Sequence, residues 1–97
     1  MFTAPKEQVE DWKKQYGTIH RFKVEDKSCY LRTPDRKTLS YAATAGKADP
    51  MKANEAILKN CWLAGDEEIK TEDAYFLAVS GKLDQIVEIK EAELEKL

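Results

Sequence analysis

One histidine and two cysteines are the side chains of this 97-residue sequence best suited to pair as base and nucleophile or to hold a soft metal. His20 lies in Thr-Ile-His-Arg-Phe-Lys-Val and Cys29 in Ser-Cys-Tyr-Leu-Arg, two short segments that read as neighbouring strands. A histidine-activated nucleophile needs a third group to orient the base, and a turn whose N–H groups receive the oxyanion. No glycine-rich turn stands near either residue, so no catalytic role is expected of His20 and Cys29. Cys29 and Cys61 lie thirty-two positions apart and give no paired spacing for zinc. Gly65-Asp66-Glu67-Glu68 is acidic but lacks the alternating oxygen ligands of a calcium loop, and reads as a solvated connection between helices. Four isolated glycines form no phosphate cradle, and Gly46-Lys47 is a lone dipeptide. The expectation is a protein without catalytic, metal or cofactor residues, and not an enzyme.

Composition narrows the remaining classes. The chain is 42% hydrophobic with nine aromatic residues, too apolar for a disordered segment. Sixteen basic residues against eighteen acidic leave a net charge of −2, unlike the basic excess of a dedicated nucleic-acid binder. A local cluster does exist: His20, Arg21, Lys23, Lys27, Arg32, Arg36 and Lys37, with Phe22 and Tyr30 among them. Cations and aromatic rings on a strand pair can hold single-stranded nucleic acid, which is the alternative function, although Glu25, Asp26 and Asp35 dilute the field. No run approaches the ~20 apolar residues of a membrane helix and no export signal is visible. The protein is expected in the cytoplasm, with both cysteines reduced and buried.

The elements that position these residues are marked by proline and glycine. Pro5, Pro34 and Pro50 sit where a helix can open, with Thr33 and Asp49 as N-caps. Gly17, Gly46 and Gly65 then close helices over about 4–16, 34–46 and 50–65. Val9, Trp12 and Tyr16 make one narrow stripe on the first helix. Leu39, Ala42 and Ala43 make a small face on the second, suited to close packing. Ile57, Leu58, Cys61 and Trp62 make a broad face on the third, the expected centre of the core. Between Gly17 and Pro34 the period falls to two. Residues 18–24 and 28–32 form a hairpin around Glu25-Asp26-Lys27, with Phe22 and Val24 on one face and Cys29 and Leu31 on one face of its partner. A hairpin alone is marginal, so it must pack on the helices or gain further strands.

The last third reads as helical, from a cap at Thr71 through Phe76, Leu77, Val79, Leu83, Ile86 and Val87 to Leu94 and Leu97, with a break near Ser80-Gly81. Charges interleaved over 88–97 suit an exposed helix. The fold class expected is α+β and helix-dominated: an N-terminal helix, a two-stranded hairpin over about 18–32, and a helical part over about 34–97, all one domain. Leucines at the end of an exposed helix need cover, so the candidate partner-binding residues are Phe76, Leu83, Ile86, Val87, Leu94 and Leu97. Self-association is one way to cover them.

The strand pair closing in Tyr-Leu-Arg-Thr-Pro-Asp-Arg and running straight into a helix resembles the opening of phage tail assembly chaperones. In that family the two-stranded element closes with an aromatic, an arginine and a proline, here Tyr30, Arg32 and Pro34. The segment Ala48-Asp49-Pro50-Met51-Lys52-Ala53-Asn54-Glu55-Ala56-Ile57-Leu58 and the ending Cys61-Trp62-Leu63-Ala64-Gly65 are similar to the family's second helical segment. The resemblance covers residues 17 to 97. It implies a phage or prophage protein of the host cytoplasm, without cofactor, that binds the tape-measure protein and recruits tail-tube subunits during assembly. It also implies that a longer frameshifted form can accompany the short one.

Overall fold

A computed structural model describes residues 1–97. The chain is α+β and helix-dominated, in the order α1 (Lys6–Tyr16), β1 (Ile19–Val24), β2 (Lys27–Arg32), α2 (Arg36–Ala45), α3 (Pro50–Cys61), β3 (Trp62–Gly65), α4 (Glu68–Thr71), α5 (Asp73–Ser80) and a 3₁₀ turn at Leu83–Ile86.

Local chemistry accounts for several boundaries. Gly17 ends α1 at φ 83, a conformation that costs glycine little. Asp49 caps α3, its Oδ1 accepting from Met51 N–H at 3.0 Å, and Pro50 fills the first position, whose N–H would have no partner. The α2 cap is Asp35 and not Thr33: Asp35 Oδ1 accepts from Thr38 N–H at 2.8 Å. Pro34 therefore precedes the helix and is itself buried. Gly46 follows α2 at φ −84 and not in the left-handed region. Its lack of a side chain serves packing instead, since a Cβ there would lie 2.8 Å from Ala53 Cβ on α3.

The hairpin forms as its alternation predicts, with Phe22 opposite Cys29 and His20 opposite Leu31. Its connection is the two-residue Glu25-Asp26, with Glu25 at φ 53, and Lys27 already pairs with Val24. A third strand is the main departure from expectation. α3 stops at Cys61 instead of running to Gly65, and Trp62–Gly65 pairs antiparallel with β2 in the order β1-β2-β3. Leu63 is the extra residue of a bulge between the Tyr30–Ala64 and Leu31–Trp62 pairs. The open side of β2 explains the strand: a central strand must find partners for its N–H and C=O groups on both sides.

One face of the sheet carries the core. Cys29 and Leu31 pack with Leu58 and Cys61 of α3, Ile69 of α4, Val79 of α5, and Leu83 and Ile86 of the 3₁₀ turn. Two core-facing residues of the third helix, Leu58 and Cys61, thus hold the place expected of them. The opposite face is covered by the N-terminal segment and α1. Tyr30 points there, its ring 5.6 Å from Trp12 and 6.0 Å from Phe2, its hydroxyl accepting from Ala4 N–H at 3.2 Å.

Two further expectations fail at the C-terminal end. Thr71 caps nothing: it ends α4, its hydroxyl donates back to Glu67 C=O, and α5 starts after Glu72. The expected break at Ser80-Gly81 is present, but no helix follows over 88–97. Residues 87–97 carry no helix or strand. This segment lengthens the molecule: the radius of gyration is 14.9 Å, against about 13 Å for a compact chain of this length. Nothing in the fold covers residues 88–97, and an isolated helix of ten residues is too short to be stable without a packing surface.

Candidate functional site

Three places could carry function: the residues with chemical potential, the grooves, and the uncovered apolar side chains. Cys29 is fully buried at the centre of the sheet, and burial pushes its thiol up to about 12. Cys61, also fully buried, is raised for the same reason. Neither can present a thiolate near neutral pH. His20 Nε2 lies 2.9 Å from Thr33 Oγ1, and partial burial lowers its pKa against the opposing pull of the Glu88 carboxylate. His20 and Cys29 share the core face without being paired across the strands.

The acidic segment after β3 has a structural task that sequence reading missed. Asp66 Oδ2 accepts from Ser28 N–H at 2.9 Å and from Phe2 N–H at 3.0 Å, while Asp66 N–H donates to Ser28 C=O at 2.9 Å. The buried Ser28 hydroxyl donates to Phe2 C=O. One carboxylate thus ties the chain start, β2 and the end of β3 together. Those N–H groups hold its pKa below the ordinary 3.8. The segment is a clamp and not the solvated connection expected. No local sequence signal marks it, because its partners lie 38 and 64 residues away.

The three residues that carry the family resemblance are also built into the fold. Tyr30 is the ring on which the N-terminal segment packs. Arg32 reaches from β2 to Asn60 C=O at 3.0 Å, to Thr38 Oγ1 at 3.3 Å and to the Asp35 carboxylate at 3.7 Å, joining sheet, α2 and α3. Pro34 is buried beside it. With Tyr30 under Trp12 and Phe22 half-buried on the core face, the basic hairpin keeps its cations but offers no free ring for base stacking.

Two grooves stand out on the surface. The larger, about 720 Å³, lies between α2 and α3, where Arg32, Lys37, Lys52 and Lys59 mix with Asp35 and Glu55 around Tyr41. Its charges are largely self-compensated, as in the Lys52–Glu55 pair at 3.3 Å. The smaller, about 490 Å³, runs along β1 between Arg21 and Lys23 on one bank and Lys82 and Gln85 on the other. No carboxylate lines it. None of Arg21, Lys23 and Lys82 takes part in an ion pair, and the Arg21 guanidinium donates to Phe2 C=O and Thr3 Oγ1, both at 3.1 Å.

The six candidate partner-binding residues do not form one surface. Leu83 and Ile86 are core residues, and Phe76 packs half-buried against that core. Val87 is half-buried where the chain leaves the fold. Leu94 and Leu97 are wholly exposed, at 99% and 108%, and Ile89 joins them at 83%. The split follows from the missing helix: the stripe ends at the 3₁₀ turn, and beyond it the apolar residues have nothing to pack on. No group of His, Cys, Asp and Glu is placed to hold a metal ion, and no helix is long and apolar enough to cross a membrane. Set against family models, curated proteins and solved structures, the chain matches none of them.

Proposed function

We propose that this chain is a non-enzymatic protein-binding module that presents its C-terminal segment to a client protein. The observation that carries the reading is the exposure of Ile89, Leu94 and Leu97 on a segment with no helix or strand of its own. Leu94 and Leu97 stand three apart among Glu91, Glu93, Glu95 and Lys96, so folding as a helix on a partner would bring both leucines to one face. The order of hairpin, Tyr30-Leu31-Arg32, Pro34 and helix supplies the client class. By its resemblance to phage tail assembly chaperones, the client is a tape-measure protein, with tail-tube subunits recruited beside it in the host cytoplasm.

Co-expression with a tape-measure protein tests this. The soluble yield of the client should rise with the wild-type chain. The double variant Leu94→Ser, Leu97→Ser should lose that effect while its own melting curve stays unchanged. Burying two leucines contributes about 3 kcal/mol, on the order of a hundredfold in affinity. An unchanged client yield with the wild-type chain, or full activity of the double variant, would refute the reading.

The cations along β1, none of them in an ion pair, favour one second reading, a small nucleic-acid-binding domain. It requires salt-sensitive binding of single strands that weakens when Arg21 and Lys23 are neutralised. A flat titration at low salt removes it.

A further inference from the structure

β1 is an edge strand, and its neighbour shows which of its backbone groups stay open. Ser28 of β2 turns both N–H and C=O toward Asp66, away from β1. Antiparallel pairs alternate between bonded and unbonded, so Lys23, opposite Ser28, turns both of its own groups to the open side. Arg21, two residues earlier, does the same. The side chains of these two residues lie on the face away from the core, and Phe22 lies between them on the core face. The carboxylate-free groove runs along this edge with Lys82 on its far bank. A basic edge repels a copy of itself and discourages indiscriminate pairing. What it accepts is an extended strand with acidic side chains at every second position.

The chain contains such a segment. In extended form Glu91, Glu93 and Glu95 fall on one face, and Ala92 and Leu94 on the other. With Glu91 and Glu93 level with Arg21 and Lys23, Leu94 comes to the Phe22 side of the sheet. The tail of the same chain is poorly placed for this register. Glu88 leaves the fold close enough to His20 to act on its charge. Pairing onward from there in the parallel sense sets Ile89 level with Arg21 and only Glu91 level with Lys23, and in the antiparallel sense leaves both cations without a glutamate. A second copy's tail carries no such restraint.

We propose that residues around Glu91–Glu95 of one copy add as a fourth strand to the open edge of β1 in a second copy, and that the exchange is reciprocal. Two equivalent contacts close the pair by a twofold axis, and no edge of β1 remains to extend it. This goes beyond client binding and stands without it, because molecular mass reports the exchange whether or not a client exists.

The test is light scattering on the full chain at low and high salt, across a concentration series. Wild-type protein should approach twice the 11.1 kDa chain mass at low salt and fall toward one chain as salt rises. The edge variant Lys23→Glu, Lys82→Glu and the tail variant Glu91→Lys, Glu93→Lys should each be monomeric at concentrations where the wild type is dimeric. Mixed one to one, the two variants carry matching edges and tails and should recover the dimer. Neither pair of sites is in an ion pair, and circular dichroism checks that both variants fold. A wild type that is monomeric at every concentration overturns the proposal. So does a dimer that survives either reversal, or a mixture of folded variants that stays monomeric.

Discussion

Gly65 is the position where a single methyl group tests the architecture most directly. It lies opposite Cys29 in the β2–β3 pair, at φ 157, with the backbones in close approach. A Cβ added there would sit 2.6 Å from Cys29 Cα, 2.6 Å from Cys29 Cβ and 2.7 Å from Ser28 O. Carbon atoms pack best at about 3.5–4.0 Å, so the overlap is roughly 1 Å. The obstructing atoms are mainly backbone of the central strand and cannot turn aside as a flexible side chain would. Overpacking costs about 1–3 kcal/mol and an unfavourable backbone region about as much again. Gly65→Ala should therefore lose about 4 kcal/mol, a large part of the ~5–15 kcal/mol typical of a domain. Its melting temperature should drop by roughly 15–30 °C. Gly81→Ala is the control. Gly81 has helical φ and ψ, with no atom closer than 3.7 Å to an added Cβ. That change should stabilise by about 0.4–1 kcal/mol, because it restricts the unfolded chain without strain. Thermal and urea melts followed by far-UV circular dichroism read both. A Gly65→Ala protein within about 1 kcal/mol of wild type would refute the pairing of β3 with β2.

Both thiols should resist a thiol reagent in the native protein at neutral pH and react fully in urea, because Cys29 and Cys61 are fully buried with raised pKa values; a fast native thiol would contradict that placement. Asp66 has a folded pKa below its unfolded value, so its contribution is present above about pH 4 and is lost as pH falls through the lower, folded value. Asp66→Asn should therefore lower the urea midpoint at neutral pH, with the gap to wild type closing in acid; a gap that widens in acid would refute the clamp. Trp12→Ala should cost about 2 kcal/mol, roughly half the value for a fully buried aromatic, and should speed amide exchange across α1, whose Trp12 ring rests on Tyr30; unchanged exchange would show that α1 is held by something else.

Much of the fold was legible in the sequence because it is local. The period of two between Gly17 and Pro34 places Phe22, Val24, Cys29 and Leu31 on the core face with no knowledge of the rest. Asp49-Pro50 opens α3, Gly17 closes α1 and Gly81 breaks the last helix, each through interactions within a few residues. The candidate site was legible only in part. The leucines at 94 and 97 were visible as side chains in need of cover, but Leu83 and Ile86, drawn from the same stripe, are core.

What only the tertiary structure decided are the features whose causes lie far away in the chain. Trp62-Leu63-Ala64-Gly65 continues the helical pattern of α3, yet becomes a strand because β2 needs a partner for its second side. Asp66 reads as a solvated acid and is fixed by N–H groups from Phe2 and Ser28. Residues 88–97 have the charge spacing of a helix but no surface to pack on, and charge spacing alone does not offset the cost of nucleating a short one. The same holds for the basic edge of β1. Its cations are plain in the sequence, but strand order alone exposes the N–H and C=O groups of Arg21 and Lys23 beside them. Composition and period determine which faces are apolar; which of those faces, and which backbone edges, are left without a partner depends on where distant segments come to rest.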